Sequence, residues 1–323
     1  MACFNATSRA PIKDCMGCFN HQEYVSMTME FRCNLKCVHC MIEGTMDRLA
    51  PQTKEQLQGL CATNVMHRKW KGLILTGSEI TLHSDLPDWV RMARSSGFER
   101  VRIQTHGMRL GRTTYCAELV EAGVNEFFIS VAAADAATHD GITTVQGSFD
   151  KTLRGLEILD QIPGVITITN TVVTERSYRQ LPKLVARLAH LKQLAQMEFW
   201  FYFPMQEHDD KGLVASHLTV LPYLKEAIAL AKATGRAIEV KNFPECLLGA
   251  DAAMLHNDQP ELYIDKAFWT EFMRNGFYQC AHRAQCASKQ CLGLNTAYVK
   301  KFGWHVNELT PLVGYGVESS VQG

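Results

Sequence analysis

Short apolar runs alternate with longer amphipathic stretches from about residue 25 to about residue 237. The short runs have the composition and length of buried β-strands: VSMTMEF at 25–31, GLILTG at 72–77, RVRIQT at 100–105, EFFISV at 126–131, VITITNTVV at 165–173 and MEFWFYF at 197–203. Six strand-then-helix units with right-handed crossovers predict an α/β fold, a parallel sheet curled into a partial (β/α)6 TIM barrel.

The stretches between these runs carry the signals of amphipathic helices. Thr53 and Gln56 have the spacing of a capping box, which predicts a helix that ends near Trp70. Apolar residues then recur at helical spacing in two sets: Leu86, Trp89, Val90 and Ala93, and later Leu181, Leu184, Val185, Leu188 and Leu191. Further helices are predicted in three places: near 113–122, from an N-cap at Ser148, and over 222–234.

This rhythm predicts four segments along the chain. They are an N-terminal extension at 1–24, the partial barrel at 25–237, a separate C-terminal module at 238–312 and a loose tail at 313–323. In barrels of this kind the loops after the strands' carboxyl ends carry the chemistry. The functional residues are therefore expected in those loops.

Composition narrows the class of partner and the compartment. The 33 basic and 33 acidic residues balance, so no global field favours nucleic acid or an anionic membrane surface. Neither a signal peptide nor a run of about 18 apolar residues is present, and a cytoplasmic protein is expected. In that reducing compartment the 12 cysteines are expected to be ligands rather than disulfides.

Three cysteines follow the first predicted strand in the octapeptide CNLKCVHC. Cys33, Cys37 and Cys40 have a CxxxCxxC spacing, and three thiolates this close fit an iron–sulfur cluster better than a zinc site. A fourth cysteine is absent from the loop, which leaves one iron open to a non-protein ligand. The alternative is half of a zinc knuckle, or a chance grouping in a cysteine-rich chain.

The sequence motif CNLxCxHC resembles the cysteine motif of the radical S-adenosylmethionine (SAM) enzymes. The resemblance implies that the amino and carboxylate groups of SAM chelate the open iron of a [4Fe-4S] cluster. It further implies that one electron, supplied by a donor such as flavodoxin or ferredoxin, breaks the C5′–S bond. The resulting 5′-deoxyadenosyl radical then abstracts a substrate hydrogen, while the protein positions the reacting carbon and excludes water.

The same resemblance assigns SAM-binding residues. Gly77, Ser78 and Glu79 correspond to the family's Gly-Gly-Glu motif, which contacts the methionyl amino group, and Ser78 replaces the second glycine. Further contacts to the ligand are implied for four residues: the backbone of His39, Thr105 in IQTHG, Ser130 and Asn170.

One departure from the family pattern concerns the methionyl carboxylate. Family members often carry an arginine where Thr143 stands in the phrase HDGITTVQGSFDKTL. If a cation is needed there, Arg102 or Arg109 near the third strand could supply it. Solvated surface charges are the competing interpretation of both arginines.

A second cysteine group lies in the predicted C-terminal module. Cys246, Cys280, Cys286 and Cys291 form a complete ligand set for a closed [4Fe-4S] cluster, and a four-cysteine zinc site has the same count. The passage resembles the auxiliary-cluster extensions of the SPASM and twitch kind, which favours iron. His282 is a possible substitute ligand, although a surface or core histidine is expected. Two further cysteines, Cys15 and Cys18, are interpreted as free thiols or part of a lid.

Two rival functions stay open. A non-enzymatic iron–sulfur or zinc protein would carry electrons or act as an assembly scaffold, and the open iron position argues against it. Within the enzyme class, a small or medium-sized biosynthetic substrate competes with a ribosomally made peptide. The short segment before the first strand is too small for a leader-binding domain, which favours the smaller substrate.

Overall fold

Eight parallel strands form one open, curled sheet in the computed structural model, which describes residues 20–42 and 48–313. The strands are β1 (Tyr24–Glu30), β2 (Gly72–Gly77), β3 (Arg100–Thr105), β4 (Glu126–Ser130), β5 (Ile166–Val173), β6 (Leu194–Phe201), β7 (Ala237–Lys241) and β8 (Glu261–Tyr263). Their order is β7-β6-β5-β4-β3-β2-β1-β8, so the first seven strands stand side by side in chain order. The predicted partial barrel is confirmed.

Helices connect the strands and continue into the C-terminal region. They are α1 (Lys54–His67), α2 (Leu86–Ser95), α3 (Thr113–Ala122), α4 (Ala136–Thr143), α5 (Ser148–Asp160), α6 (Leu181–Leu188), α7 (His217–Ala233), α8 (Glu245–Leu248), α9 (Lys266–Phe272) and α10 (Thr296–Phe302). The predicted capping box begins α1, where Thr53 and Gln56 exchange side-chain to backbone hydrogen bonds. No helix among the described residues is long and apolar enough to cross a bilayer.

Alternate residues of each strand face opposite sides of the sheet, and this divides the interior in two. Outward-facing side chains such as Met27, Leu75 and Ile103 belong to the large apolar core, which also contains residues of the surrounding helices. The inward-facing side chains fill the barrel lumen. A smaller apolar cluster lies there and consists of Tyr24, Ile74, Phe128 and Ile168.

Charged groups fill the part of the lumen near the start of the strands. The Arg102 guanidinium donates to the Glu126 carboxylate at 2.9 Å, and the Tyr24 hydroxyl donates to the same carboxylate at 2.9 Å. A second group pairs Glu239 with Lys241 at 3.2 Å. These buried charges are paired with one another, which offsets part of the cost of desolvating them. They close the lower lumen, so ligand space is left at the opposite end.

The structure extends the sequence prediction in two ways. β7 pairs with β6 over five residues, and the predicted domain boundary at 237/238 therefore passes through a barrel strand. The short strand β8 pairs with β1 at the other edge, and Glu261 on β8 accepts from Lys69 and from the Trp70 indole. The C-terminal segment thus contributes directly to the sheet.

A second apolar core joins the C-terminal segment to the barrel mouth. Its buried residues are Tyr202, Leu213, Val214, Leu294, Tyr298 and Leu309, and its partly buried members include Val38, Cys246 and Cys280. The loop of residues 202–216 after β6 supplies three of the buried members. Its Lys211 donates to the Val38 carbonyl at 2.9 Å, while Asp209 accepts from Lys301 on α10. This loop therefore contacts both cysteine-bearing regions.

Candidate functional site

A cavity of about 430 Å³ opens at the carboxyl ends of the strands. The predicted site residues that line it are Cys33, Cys37, His39, Cys40, Gly77, Ser78, Thr105, Ser130 and Asn170. They come from the loop after β1 and from the ends of four further strands, β2 to β5. The topology therefore brings together residues that lie up to 137 positions apart in the sequence, as expected for loops of a parallel barrel.

The three cysteines of the first loop are half-buried, form no disulfide and line this cavity. The backbone N–H of Leu35 donates to Cys33 Sγ at 3.3 Å. Burial raises the pKa of the Cys33 thiol to about 11, with smaller contributions from Glu79 and Cys40. Cys33 is therefore a protonated thiol at neutral pH, and a metal that binds it must displace that proton.

Gly77 brings the β2 turn close to the backbone of β1. A Cβ atom at this position would lie 1.9 Å from the Glu30 carbonyl oxygen, and the φ angle of +153° is one that other residues rarely adopt. The next residue, Ser78, donates its backbone N–H to the same carbonyl at 2.7 Å. Glycine is thus required for the turn that borders the cavity.

Three buried polar atoms on lining residues have no hydrogen-bond partner within the described part of the chain. They are His39 Nδ1, His139 Nε2 and Asn170 Oδ1. Burial lowers the pKa of both His39 and His139 to about 4, so both rings are neutral at pH 7. Buried polar atoms are normally satisfied, and a polar ligand in the cavity would satisfy these three.

Glu79 does not line the cavity, although the sequence places it beside two residues that do. Its carboxylate is fully buried and accepts from Thr105 Oγ1 at 2.6 Å, the His106 backbone N–H at 2.9 Å and the Thr81 backbone N–H at 3.0 Å. His106 Nε2 lies 3.0 Å from the same carboxylate and 2.7 Å from Asn34 Oδ1 in the cysteine loop. In this structure Glu79 therefore connects β3 to the cysteine loop, and contact with a ligand's amino group stays a prediction.

Neither arginine considered for the missing family cation reaches the cavity. Arg102 is buried in the lower lumen, where it pairs with Glu126. Arg109 donates to the Thr81 carbonyl and lies over the Tyr115 ring at 4.4 Å, bordering a separate surface pocket. The two candidates are thus occupied elsewhere, and Thr143 itself lines the cavity without a guanidinium beside it.

Several lining residues were not singled out from the sequence. They are Lys36, Thr76, Gln104, His106, Phe128, His139, Val172 and Trp200. For the strand residues among them, the two-residue period of the strands was the available signal in the sequence. Gln104 lies two positions after Arg102, and Phe128 lies two positions before Ser130. Thr76 and Gln104 are joined by a 2.6 Å hydrogen bond, and the Trp200 indole donates to buried Glu198 at 2.7 Å.

The second cysteine group assembles around a small cavity of about 30 Å³. Cys246 at the start of α8 meets Cys280, Cys286 and Cys291 there. Backbone N–H groups of Gly293 and Leu312 lie 3.3 and 3.4 Å from the Sγ atoms of Cys291 and Cys286. His282 also borders this cavity, but its Nε2 contacts the Val306 carbonyl at 2.8 Å. Cys15 and Cys18 lie outside the described residues.

The described residues contain no group of three or more His, Cys, Asp or Glu side chains arranged to hold a metal ion. In both cysteine groups the thiols border a cavity and are joined by no disulfide. Around the cavity of about 430 Å³, the three thiols of the first loop leave room for a ligand larger than one ion. Soft thiolate donors suit an iron–sulfur cluster.

A parallel partial barrel with three cysteine thiols at the carboxyl ends of its strands is typical of one class, the α/β-barrel enzymes that use a cysteine-bound redox centre. Residues 28–188 match the family model of the radical SAM superfamily. The chain belongs to this superfamily.

Among proteins with curated names, a probable GTP 3′,8-cyclase of Methanopyrus kandleri is 31% identical over 186 residues, which is 57% of each chain. An AdoMet-dependent heme synthase of Methanosarcina barkeri is 28% identical over 200 residues, or 61% of this chain and 55% of that protein. The chain thus spans little more than half the length of these relatives.

Solved structures share the fold at low sequence identity. Streptococcus suis SuiB bound to the precursor peptide SuiA superposes with a TM-score of 0.56 at 14% identity, over 68% of this chain and 48% of that chain. This likeness shows the barrel architecture alone.

Proposed function

We propose that this protein reductively cleaves SAM and uses the product radical to abstract a hydrogen atom from a small or medium-sized biosynthetic substrate. The observation that carries the proposal is the cavity at the barrel mouth, where three cysteine thiols meet three buried polar atoms that have no hydrogen-bond partner among the described residues. When bound, a [4Fe-4S] cluster and SAM supply one-electron cleavage of the C5′–S bond and a 5′-deoxyadenosyl radical.

The residues present fit these two groups. Cys33, Cys37 and Cys40 supply three thiolates, which leaves one iron of a four-iron cluster for the ligand's methionyl end. Gly77 and Ser78 present a tight turn to the same cavity, where backbone carbonyls can accept from an amino group.

The far side of the cavity suits the nucleoside. Ser130, Thr105 and Asn170 offer hydroxyl and amide groups for a ribose, and Asn170 Oδ1 lacks a protein partner. The rings of Phe128 and Trp200 and the His39 backbone can border the adenine. These side chains exclude water from the carbon on which a radical would form.

The C-terminal cysteines would hold a second [4Fe-4S] cluster. Its support is that Cys246, Cys280, Cys286 and Cys291, separated by up to 45 residues in the chain, border one cavity. Backbone N–H groups near two of the sulfurs would stabilise their thiolates, as such contacts do in clusters generally. A four-cysteine zinc site is the rival, and the iron measurement described in the Discussion separates the two.

The substrate class is supported by the sequence relatives. Their names refer to GTP and to heme, which are compact molecules, and identity to them reaches 28–31%. A peptide substrate is the second candidate, since SuiB with its precursor peptide shares the fold.

The proposal further includes a small electron-transfer partner such as flavodoxin or ferredoxin and a cytoplasmic location, which suit an oxygen-sensitive cluster. It includes no nucleic-acid or membrane partner.

The test measures 5′-deoxyadenosine after anaerobic iron–sulfur reconstitution and reduction with dithionite. Wild-type protein should form it from SAM, and Cys33→Ala should not, because one of the three thiolates is lost. Cys61→Ala is the matched control, since Cys61 is buried in α1 and lies outside the cavity. Equal yields from Cys33→Ala and wild type, or no product from an iron-loaded wild type, would refute the proposal.

A further inference from the structure

The described side chains that line the large cavity include a positive charge but no negative one. Among the described residues that line it, Lys36 is the one side chain with a permanent charge, and none is an aspartate or glutamate. A negatively charged ligand group in the cavity therefore has Lys36 as its one permanently cationic partner among the described lining residues.

The backbone of Lys36 is held against the end of α4. Its N–H donates to the Thr143 carbonyl at 3.2 Å, and Thr144 Oγ1 donates to the Lys36 carbonyl at 2.9 Å. Two residues later, the Val38 N–H donates a hydrogen bond to the Ile142 carbonyl at 2.9 Å. These bonds fix the position of Lys36 beside Thr143, while its ammonium makes no ion pair with a described residue.

Other cations near the barrel mouth are already engaged. Arg102 and Arg109 bond to Glu126 and to the Thr81 carbonyl, as described above. Lys211 donates to the Val38 carbonyl in the cysteine loop and does not line the cavity. Among the described residues, Lys36 is thus the permanently cationic residue that lines the cavity.

We propose that the Lys36 ammonium pairs with the carboxylate of the methionyl moiety of SAM. This inference rests on the proposed function. A carboxylate that leaves water for a cavity of this kind needs a charged or hydrogen-bonding partner, and Lys36 supplies a charge-assisted bond from within the cysteine loop itself. Lys36 is accordingly a ligand-binding residue that places the methionyl end beside the cysteine thiols.

The test compares two ligands on anaerobically reconstituted protein by isothermal titration calorimetry. Lys36→Met, which keeps the length and removes the charge, should weaken SAM binding on the order of tenfold or more. Decarboxylated SAM lacks the group in question, so its affinity should be the same for wild type and Lys36→Met. Lys36→Arg should retain most of the SAM affinity. Iron content is measured for every variant.

Two further variants make the test specific. Lys211→Met removes a positive charge that contacts the cysteine loop without lining the cavity, and its SAM affinity should stay within about twofold of wild type. Thr143→Arg in the Lys36→Met background should restore SAM binding, because Thr143 adjoins Lys36 and also lines the cavity.

The outcomes separate this inference from the proposed function. An iron-loaded Lys36→Met that binds SAM as wild type does, or that loses decarboxylated SAM equally, would overturn the role of Lys36 and leave the function intact. Equal weakening by Lys211→Met would also overturn it, because loop charge rather than contact would then explain the loss. An iron-loaded wild type that binds neither ligand would refute the proposed function itself.

Discussion

Protein groups surround the Glu79 carboxylate behind the cavity wall, so a ligand would have to displace them to reach it. Three of its contacts come from Thr105 and His106, which follow 26 and 27 residues later in the chain. The turn from Gly77 to Glu79 could be recognised from the sequence, since glycine and a following carboxylate are local signals. The direction in which the carboxylate points could not be recognised from the sequence, because it depends on residues at the end of β3 that lie far along the chain.

Replacement of Glu79 by alanine is expected to destabilise the fold even without a ligand. The substitution leaves the buried backbone N–H groups of Thr81 and His106 without an acceptor, which costs about 1–3 kcal/mol of unfolding free energy for each group. Urea unfolding of protein without SAM measures this loss. Ser130→Ala is the control, because Ser130 is exposed, lines the cavity and should leave stability nearly unchanged. Unaltered stability of Glu79→Ala, together with weaker SAM binding, would instead favour direct contact with the ligand.

His217 is expected to contribute to acid sensitivity. The ring is packed between aromatic side chains and stacks on Tyr298 at 4.1 Å, and burial lowers its pKa from 6.5 to about 3. The unfolded chain therefore takes up a proton below pH 6.5 that the folded chain does not, so stability falls as pH decreases from about 6.5 towards 3. Between pH 7 and pH 5 this one group should remove about 2 kcal/mol of unfolding free energy.

Urea unfolding at these two pH values tests the assignment. His217→Leu should reduce the pH dependence by about that amount, whatever its effect on stability at pH 7. His190→Leu alters an exposed histidine and should leave the pH dependence as it is in wild type. An unchanged slope in His217→Leu would show that other buried histidines account for the acid sensitivity.

At the scale of elements, apolar runs located the strands because burial on both faces requires them. β2 and β3 were predicted at their observed bounds, and β1 differs by one residue at each end.

α4 was missed, since its sequence AATHDGIT has no apolar stripe and depends on the Asp135 cap and on contacts to the cysteine loop. The cap predicted at Ser148 was wrong by one residue. Gly147 occupies that position with a φ of +75°, and the Ser148 hydroxyl bonds to Asp140 and Thr143.

The C-terminal cysteine element is expected to load a cluster independently of the first loop. If each cysteine group holds four irons, wild type contains about eight per chain. A triple alanine variant at Cys33, Cys37 and Cys40 should retain about half of that iron, because Cys246 and its partners border a separate cavity. The complementary variant, with alanine at Cys246, Cys280, Cys286 and Cys291, should retain the other half. Stoichiometric zinc with little iron in the first variant would establish the zinc alternative.

At the scale of the whole molecule, the two cysteine regions are parts of one packed body. The second apolar core includes Val38 from the first cysteine loop and Cys246 and Cys280 from the second group. The loop of residues 202–216 bonds to both sides. The predicted division at 237/238 could not anticipate this, because the sequence rhythm shows where the strand–helix repeat ends but not which surfaces later meet. Packing continues across the boundary through β7, β8 and the second core.

The pairing of β1 with β8 can form only late in the synthesis of the chain. Val25 pairs with Glu261, so one edge of the first strand stays without its final neighbour until 236 further residues have been made. At ribosomal rates of about 5–20 residues per second, this interval lasts roughly 12–50 s. An open parallel edge is a place where other nascent chains can attach. The barrel therefore depends on its last strand for protection against mispairing, and truncation before residue 261 would leave that edge exposed permanently.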